Sequence, residues 1–301
     1  MLKRTRSFLV LVMLLMTVTM SAQVTTATMS GKVTAQDEPI IGATIVAIHE
    51  PSGTRYGTVT NVSGQFNLQG MRTGGPYKVE ISYVGYQTAI YKGINLLLGE
   101  NYVLNVSLKE SSELLDEVVV TASKESNMKS DRAGAIMNAN RDMISNTPTI
   151  SRSISDIMRL SPQGADVGNG FAVGGGNYRQ SFVTVDGAAF NNTFGLGGNL
   201  PANGSPISLD ALEQVTVAVT PFDVRQSGFT GGAINAVTRS GDNQFRGTAY
   251  MYFNNENLKG SKVDDYELLR SKAQYYTYGA SFGGPIIKDK LFFFANGEYV
   301  S

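Results

Sequence analysis

Gln244-Phe245-Arg246-Gly247-Thr248-Ala249-Tyr250-Met251-Tyr252-Phe253-Asn254 changes character at nearly every step. In an extended chain, Phe245, Gly247, Ala249, Met251 and Phe253 share one side, and Arg246, Thr248, Tyr250, Tyr252 and Asn254 the other. This follows because successive side chains of a strand point to opposite faces. The alternation returns at Tyr276, Tyr278, Ala280 and Phe282, interleaved with Thr277, Gly279, Ser281 and Gly283. A third run, residues 291–299, opens with Leu291-Phe292-Phe293-Phe294. Strands that cross a bilayer need about 9–11 residues, a period of two and an apolar side toward lipid. All three runs meet that description. The connection over residues 255–273 is long and charged, and that over 284–290 is short. A chain entering a barrel from the periplasmic side makes a long outer loop first and a short turn second. Residues 241–301 are therefore expected to be the first strands of a transmembrane β-barrel, with a soluble β-meander as the alternative.

The other end of the chain is consistent with such a destination. Lys3, Arg4 and Arg6 precede an apolar run over residues 8–20, and Ser21-Ala22-Gln23 supplies small residues for cleavage. That is the layout of a secretory signal peptide over residues 1–22. No later stretch is apolar enough to span a bilayer as a helix. The 25 basic and 25 acidic residues cancel, leaving no electrostatic footprint for nucleic acid. Cysteine is absent and His49 is the only histidine. Thiol chemistry, disulfides and multi-histidine metal sites are excluded, and no catalytic residue, metal site or cofactor is expected. A Ser-His-Asp arrangement would have to use His49, which falls at the end of an expected strand.

Residues 24–110 hold short alternating segments at 28–33, 43–48, 56–60, 65–68, 77–83, 88–91 and 102–108. Turns rich in Gly, Pro, Asn and Asp separate them, including Asn61-Val62-Ser63-Gly64 and Thr73-Gly74-Gly75-Pro76. This spacing predicts an all-β sandwich. Val33, Ile45, Val59, Phe66, Val79, Ile81, Val103 and Leu108 are expected to face inward. The segment resembles the carboxypeptidase-regulatory-like domain family at Gly31-Lys32-Val33, Pro39 with Gly42-Ala43-Thr44, Thr60 with Gly64-Gln65-Phe66, and Tyr77 with Gly85-Tyr86. The resemblance implies a non-catalytic appendage.

Residues 111–127 form a linker. Around it the sequence reads KESSELLDEVVVTAS over 109–123, a β-branched core between charged and serine-rich flanks. β-Branched side chains favour the extended state, and a short strand with flexible flanks suits pairing with a sheet edge on another protein. Asp116, Glu117, Val118, Val119, Val120, Thr121 and Ala122 resemble the TonB box of TonB-dependent receptors. The resemblance implies attachment of a TonB-type inner-membrane energy transducer. Read from residues alone, the same stretch is the last strand of the sandwich or the first of the next unit.

Residues 128–240 mix short helices, strands and glycine-rich loops. The spacing predicts a helix over 154–160 ended by Ser161-Pro162, a strand over 182–185, a short helix running into a strand over 209–217, and a strand before Arg239. The order of Ser155 to Arg159 with Pro162, Arg179 before Val185-Asp186-Gly187, Leu212-Glu213-Gln214-Val215, and Gly231-Gly232-Ala233-Ile234-Asn235 resembles the plug of TonB-dependent receptors. Thr220-Pro221-Phe222-Asp223-Val224-Arg225 departs from the plug pattern. Gly168-Asn169-Gly170 lacks the third glycine and flanking strand and helix of a nucleotide cradle. Residues 168–179 and 190–203 are expected to be irregular loops, which in compact domains are usually functional or disordered. The plug resemblance turns them toward the outer vestibule. Tyr178, Asn191, Asn192 and Phe194 are the candidate ligand-binding residues, offering aromatic faces and amides, with packing against the barrel wall as their other role.

The expected architecture is mainly β: an N-terminal β-sandwich, a mixed α/β plug and the first strands of a transmembrane β-barrel. The resemblance implies an outer-membrane receptor importing an unidentified ligand, with its N-terminal domain in the periplasm. Its implied partners are the TonB-type transducer, the lipid bilayer and, as a further candidate, a surface lipoprotein. It also implies a barrel of many more strands than this chain supplies. Two rivals remain: an exported surface adhesin or structural β-domain protein, and an exported hydrolase with an accessory sandwich.

Overall fold

The computed structural model describes residues 25–111, 118–121, 136–149, 152–167, 170–190, 207–219, 231–258, 260, 262–264, 266–267, 272 and 274–301. The expected signal peptide lies outside them.

Ten strands build the first unit: β1 (Ala27–Ala35), β2 (Glu38–Pro39), β3 (Thr44–His49), β4 (Thr54–Val59), β5 (Gln65–Met71), β6 (Gly74–Ser82), β7 (Ala89–Leu96), β8 (Asn101–Val103), β9 (Val106–Ser107) and β10 (Val118–Thr121). One sheet has β1 at its centre, antiparallel to β5 and β2 and parallel to β8 and β9. The other runs β10-β7-β6-β3-β4. Between them lies an apolar core that includes Met29, Val33, Ile45, Phe66, Tyr77, Ile81 and Leu108. This is the expected sandwich, with one correction. Val59 is 60% exposed and Val103 40% exposed. Both sit at strand ends, where the inward position passes to a neighbour. Thr60 turns in and its hydroxyl donates to Ile40 O at 2.6 Å and accepts from Ala43 N at 2.9 Å, while Tyr102 packs on the core.

The middle unit comprises β11 (Ile136–Ala139), α1 (Arg141–Asn146), α2 (Ile154–Met158), β12 (Gly164–Asp166), β13 (Phe171–Val173), β14 (Phe182–Val185), β15 (Ala188–Ala189), β16 (Leu212–Ala218) and β17 (Ala233–Thr238). Its main sheet runs β11-β16-β17-β14-β15, and a second core includes Ile157, Val183, Leu212, Val215 and Ile234. Helix α1 starts at Asn140, whose side chain accepts from Met143 N at 3.0 Å. Helix α2 starts at Ser153 with a capping box closed by Asp156. The hairpin from β14 to β15 turns at Asp186 (φ 49°) and Gly187 (φ 81°), the left-handed pair that suits a two-residue hairpin. The Asp186 carboxylate accepts from the Thr238 backbone at 2.9 Å and from its hydroxyl at 2.6 Å, so Asp186 ties the turn to the end of β17.

The last unit is an antiparallel meander, β18 (Arg246–Asn255), β21 (Gln274–Ile287) and β22 (Leu291–Val300), with a small hairpin of β19 (Lys262–Val263) and β20 (Tyr266–Glu267) in its long connection. The register pairs Thr248 with Ser281 and Gly279 with Glu298. Thr248, Tyr250, Gly279, Ser281, Phe294 and Glu298 therefore share the face toward the middle unit. The opposite face carries Phe245, Phe282 and Phe293 at one end, with ring centroids 5.6 to 6.4 Å apart. At the other end Phe253, Tyr276 and Tyr278 pack at 4.9 and 6.3 Å. Gly247, Ala249, Ala280 and Ala295 lie between. Phe245 and Phe253 are separated by about 27 Å along the strand at ~3.4 Å per residue. A tilt of about 40° reduces that to roughly 20 Å, close to the ~25 Å apolar band between aromatic girdles of outer-membrane barrels.

Candidate functional site

Of the expected coupling residues, Val118, Val119, Val120 and Thr121 form β10, and Asp116, Glu117 and Ala122 lie outside the described residues. β10 runs parallel to β7 in the register Val118 to Ala89, Val119 to Ile90, Val120 to Tyr91 and Thr121 to Lys92. The segment is thus an added outer strand of the sandwich, one of the two placements its residues allow.

Of the expected ligand residues, Tyr178 alone lies among the described residues. Tyr178 is half-buried in a 3-10 turn, Tyr178–Gln180, where its hydroxyl accepts from Arg179 Nε at 3.1 Å. Asn191, Asn192 and Phe194 lie outside the described residues. The expectation of an irregular loop over 168–179 is corrected in part. β13 pairs with β12, and Phe171 and Val173 are buried. The glycines permit this packing, since a Cβ on Gly164 would lie 2.3 Å from the Phe171 ring.

The sequence did not reveal two polar nodes that join the middle unit to the meander. The first centres on Asp210, in the 3-10 turn Leu209–Ala211. Its Oδ1 lies 3.1 Å from Arg141 Nη2 and 3.8 Å from Arg239 Nη1, and its Oδ2 accepts from the Thr248 hydroxyl of β18 at 2.7 Å. Burial pushes the Asp210 carboxyl up, but hydrogen bonds from Ser281, Thr248 and Arg141 outweigh it and hold the group below its ordinary value. The second node centres on Glu298 of β22, where Oε2 accepts from Tyr250 at 2.6 Å and from Ser208 at 3.1 Å. Arg152 of the middle unit lies 3.9 Å from the same oxygen, with its guanidinium 4.4 and 4.3 Å from the ring centres of Tyr250 and Tyr252, within cation–π range. Gly279 makes room for this, because a Cβ there would lie 2.1 Å from the Tyr250 ring. Parity on β18 was the available signal: every second residue is polar and needs a partner inside.

The sandwich rests against both other units. Leu98 N donates to Gln214 Oε1 at 3.1 Å, Asn138 donates to Glu100, and Asn243 N donates to Pro51 O at 2.9 Å. A cleft of about 640 Å³ at this junction is lined by Arg72, Arg141, Arg239, Arg246, Glu213 and Asp242 among others. Burial raises the Glu213 carboxyl above its ordinary value despite the nearby guanidinium groups of Arg141, Arg239 and Arg72. His49 borders the same cleft. Burial and then Arg72 lower it to about 4, so it is neutral at physiological pH. Its Nδ1 lies 2.7 Å from the Ser52 hydroxyl, with Tyr77 packed on the ring at 4.9 Å. That is a packed, structural histidine. Among the described residues, no group of three or more His, Cys, Asp or Glu side chains is arranged to hold a metal ion, and no helix is long and apolar enough to cross a membrane.

Residues 28–109 match the carboxypeptidase regulatory-like domain family, and residues 237–301 match an outer membrane β-barrel domain family. The chain is thus similar to a carboxypeptidase regulatory-like domain in its N-terminal part, to outer membrane β-barrel strands at residues 237–301, and to TonB-dependent receptors and transporters. The TonB-dependent transporter Oar of Myxococcus xanthus is 32% identical over 152 residues, covering 48% of this chain and 14% of that protein. The TonB-dependent receptor SusC of Bacteroides thetaiotaomicron is 29% identical over 269 residues, covering 84% of this chain and 24% of that protein. A solved structure, the siderophore receptor PirA of Acinetobacter baumannii, aligns with a TM-score of 0.44 and 20% identity over 55% of this chain and 24% of that one. The chain thus spans at most about a quarter of the length of these relatives.

Proposed function

We propose that the protein acts within an outer-membrane receptor that imports a ligand into the periplasm, driven by a TonB-type transducer of the inner membrane. The observation that carries this reading is the two-faced meander. Its outward face presents aromatic rings at both ends and small apolar residues between. Its inward face sends Thr248 to Asp210, and Tyr250 and Glu298 to Ser208 of the middle unit, with Arg152 beside Glu298. A soluble meander has no use for an outward apolar band of membrane thickness. In this reading residues 128–240 are the plug and residues 241–301 the first wall strands. The sandwich hangs on the periplasmic side, and residues 116–122 are the segment the transducer takes. The mechanism moves a ligand and makes or breaks no bond. Ligand contact falls to the plug loops that hold Tyr178, Asn191, Asn192 and Phe194, and to outer loops between wall strands.

The test uses the full-length receptor. A deletion strain is grown on single carbon, iron and vitamin sources to find the nutrient it fails to use, and uptake of that labelled nutrient is measured. Val119→Pro removes a backbone donor and disfavours ladder pairing. Uptake is expected to fall while nutrient binding at the cell surface persists. Normal uptake at normal receptor level removes residues 116–122 from the coupling role.

A further inference from the structure

We infer that the edge of β7 is a storage site for the coupling segment, so that the sandwich and the transducer compete for the same strand. This rests on residues 116–122 being the coupling segment.

The chain approaches this edge twice. Residues 109–111 first lie antiparallel beside 85–87, where Gln87 N donates to Lys109 O at 2.9 Å and Ser111 N donates to Gly85 O at 3.0 Å. After residues 112–117, Val118 lies beside Ala89, and β10 runs parallel to β7 to the pair of Thr121 and Lys92. Residues 109–111 and β10 thus lie along the same edge in opposite directions. Without β10, β7 would be an edge strand with a row of unpaired backbone groups, and such an edge accepts any suitable extended segment. Three consecutive valines and a threonine are such a segment.

Strand addition uses backbone groups, and the backbone of a segment this short cannot serve β7 and a transducer sheet together. The transducer must take β10 from β7. If the docked form is held at about 90% of the population, the apparent affinity of the transducer falls about tenfold relative to the free segment.

Neighbouring strands lie about 4.8 Å apart, inside the Cα separation a disulfide requires. The chain has no cysteine of its own, so no native thiol of residues 1–301 competes with the introduced pair. Lys92 is exposed and pairs with Thr121 in the register of β7 and β10, so the test pair is Lys92→Cys with Thr121→Cys. The probe is the periplasmic C-terminal domain of the TonB-type transducer, titrated against the full-length receptor, with Thr121→Cys alone as the reference. The double variant is expected to cross-link on mild oxidation. Transducer affinity should then fall at least about tenfold below the reference and return on reduction. Failure to cross-link, while both thiols react with a maleimide, overturns the dock. Full cross-linking with unchanged transducer affinity overturns the competition. Val119→Pro separates the two ideas: intact uptake there removes the coupling reading and the competition with it, whatever the cross-link does.

Discussion

Asp210→Asn keeps the size of the side chain and removes its charge. The guanidinium groups of Arg141 and Arg239 then keep only the Glu213 carboxyl as an acidic neighbour, itself raised by burial. Removing one partner of a fully buried ion pair costs about 3–5 kcal/mol. Here the side chains of Arg141, Asp210 and Arg239 retain 27%, 11% and 17% exposure, so water offsets part of the loss. Arg141 also keeps its bonds to the carbonyls of Asp210 and Leu212, both at 3.1 Å, and Arg239 its bond to the Asp210 carbonyl at 3.2 Å. About half the buried figure, roughly 2 kcal/mol, is the expected cost, equivalent to about a 30-fold rise in the local opening constant. Hydrogen exchange of residues 209–218 and of α1 in the full-length protein reads that constant directly. Exchange in the N-terminal sandwich should not change. A change below about threefold would show that Asp210 does not anchor the middle unit to the meander. A double-mutant cycle with Arg141→Met assigns the effect, since residues in one network are non-additive by about 0.5–3 kcal/mol.

Glu213 is raised above its ordinary value of 4.5 by burial, so its contribution to stability is present in acid and lost as pH rises through the raised value. Glu213→Gln is therefore expected to stabilise the protein modestly at pH 8, with the gap closing below about pH 4.5; chemical denaturation at both pH values checks this. His49 has the opposite sense. Lowered to about 4 from 6.5, it favours the folded sandwich fully above the unfolded value, and that advantage fades as pH falls toward 4. Protection factors of β3 and β4, corrected for the pH dependence of intrinsic exchange, should fall across that window in the native protein and change less in His49→Gln. Gly31→Ala would place a Cβ 1.8 Å from the Leu104 carbonyl oxygen, separating β1 from the parallel strands beside it. A loss of about 3 kcal/mol in the sandwich is expected by thermal denaturation, by analogy with overpacked cores.

The parts of this fold legible in the sequence are those governed by period. The alternation on β18 and β21 placed Phe245, Phe253 and Phe282 on one face and Thr248, Tyr250 and Ser281 on the other, as the structure has them. Turn residues located the sandwich strands to within a few positions. Period failed at strand ends, where Val59 and Val103 lost the inward position to neighbours. β11 and α1 were missed, although Asn140 followed by Asp142 is a legible helix start. The nodes were beyond any local pattern. Arg141 and Asp210 are 69 positions apart, and which arginine meets which carboxylate is decided by how the units meet. The docking of residues 118–121 illustrates the same limit: sequence showed that the strand would pair, and only the fold selected β7 as its partner.

The Glu298 node has a consequence on the scale of descent. Tyr250 and Ser208 bond one carboxylate, and Arg152 lies beside it while packing on Tyr250 and Tyr252, with Gly279 leaving the space that the Tyr250 ring fills. A lineage that changes one member leaves a charge or hydroxyl stranded, or a ring displaced, so a first step is selected against unless a second arrives with it. These positions should be inherited as a block, switching together between rare compatible sets. Ala249 and Ala280, on the other face of the same strands, are free to drift among small apolar residues one at a time. Swapping middle units between distant relatives should therefore fail more often when the Glu298 set is split than when overall identity is low.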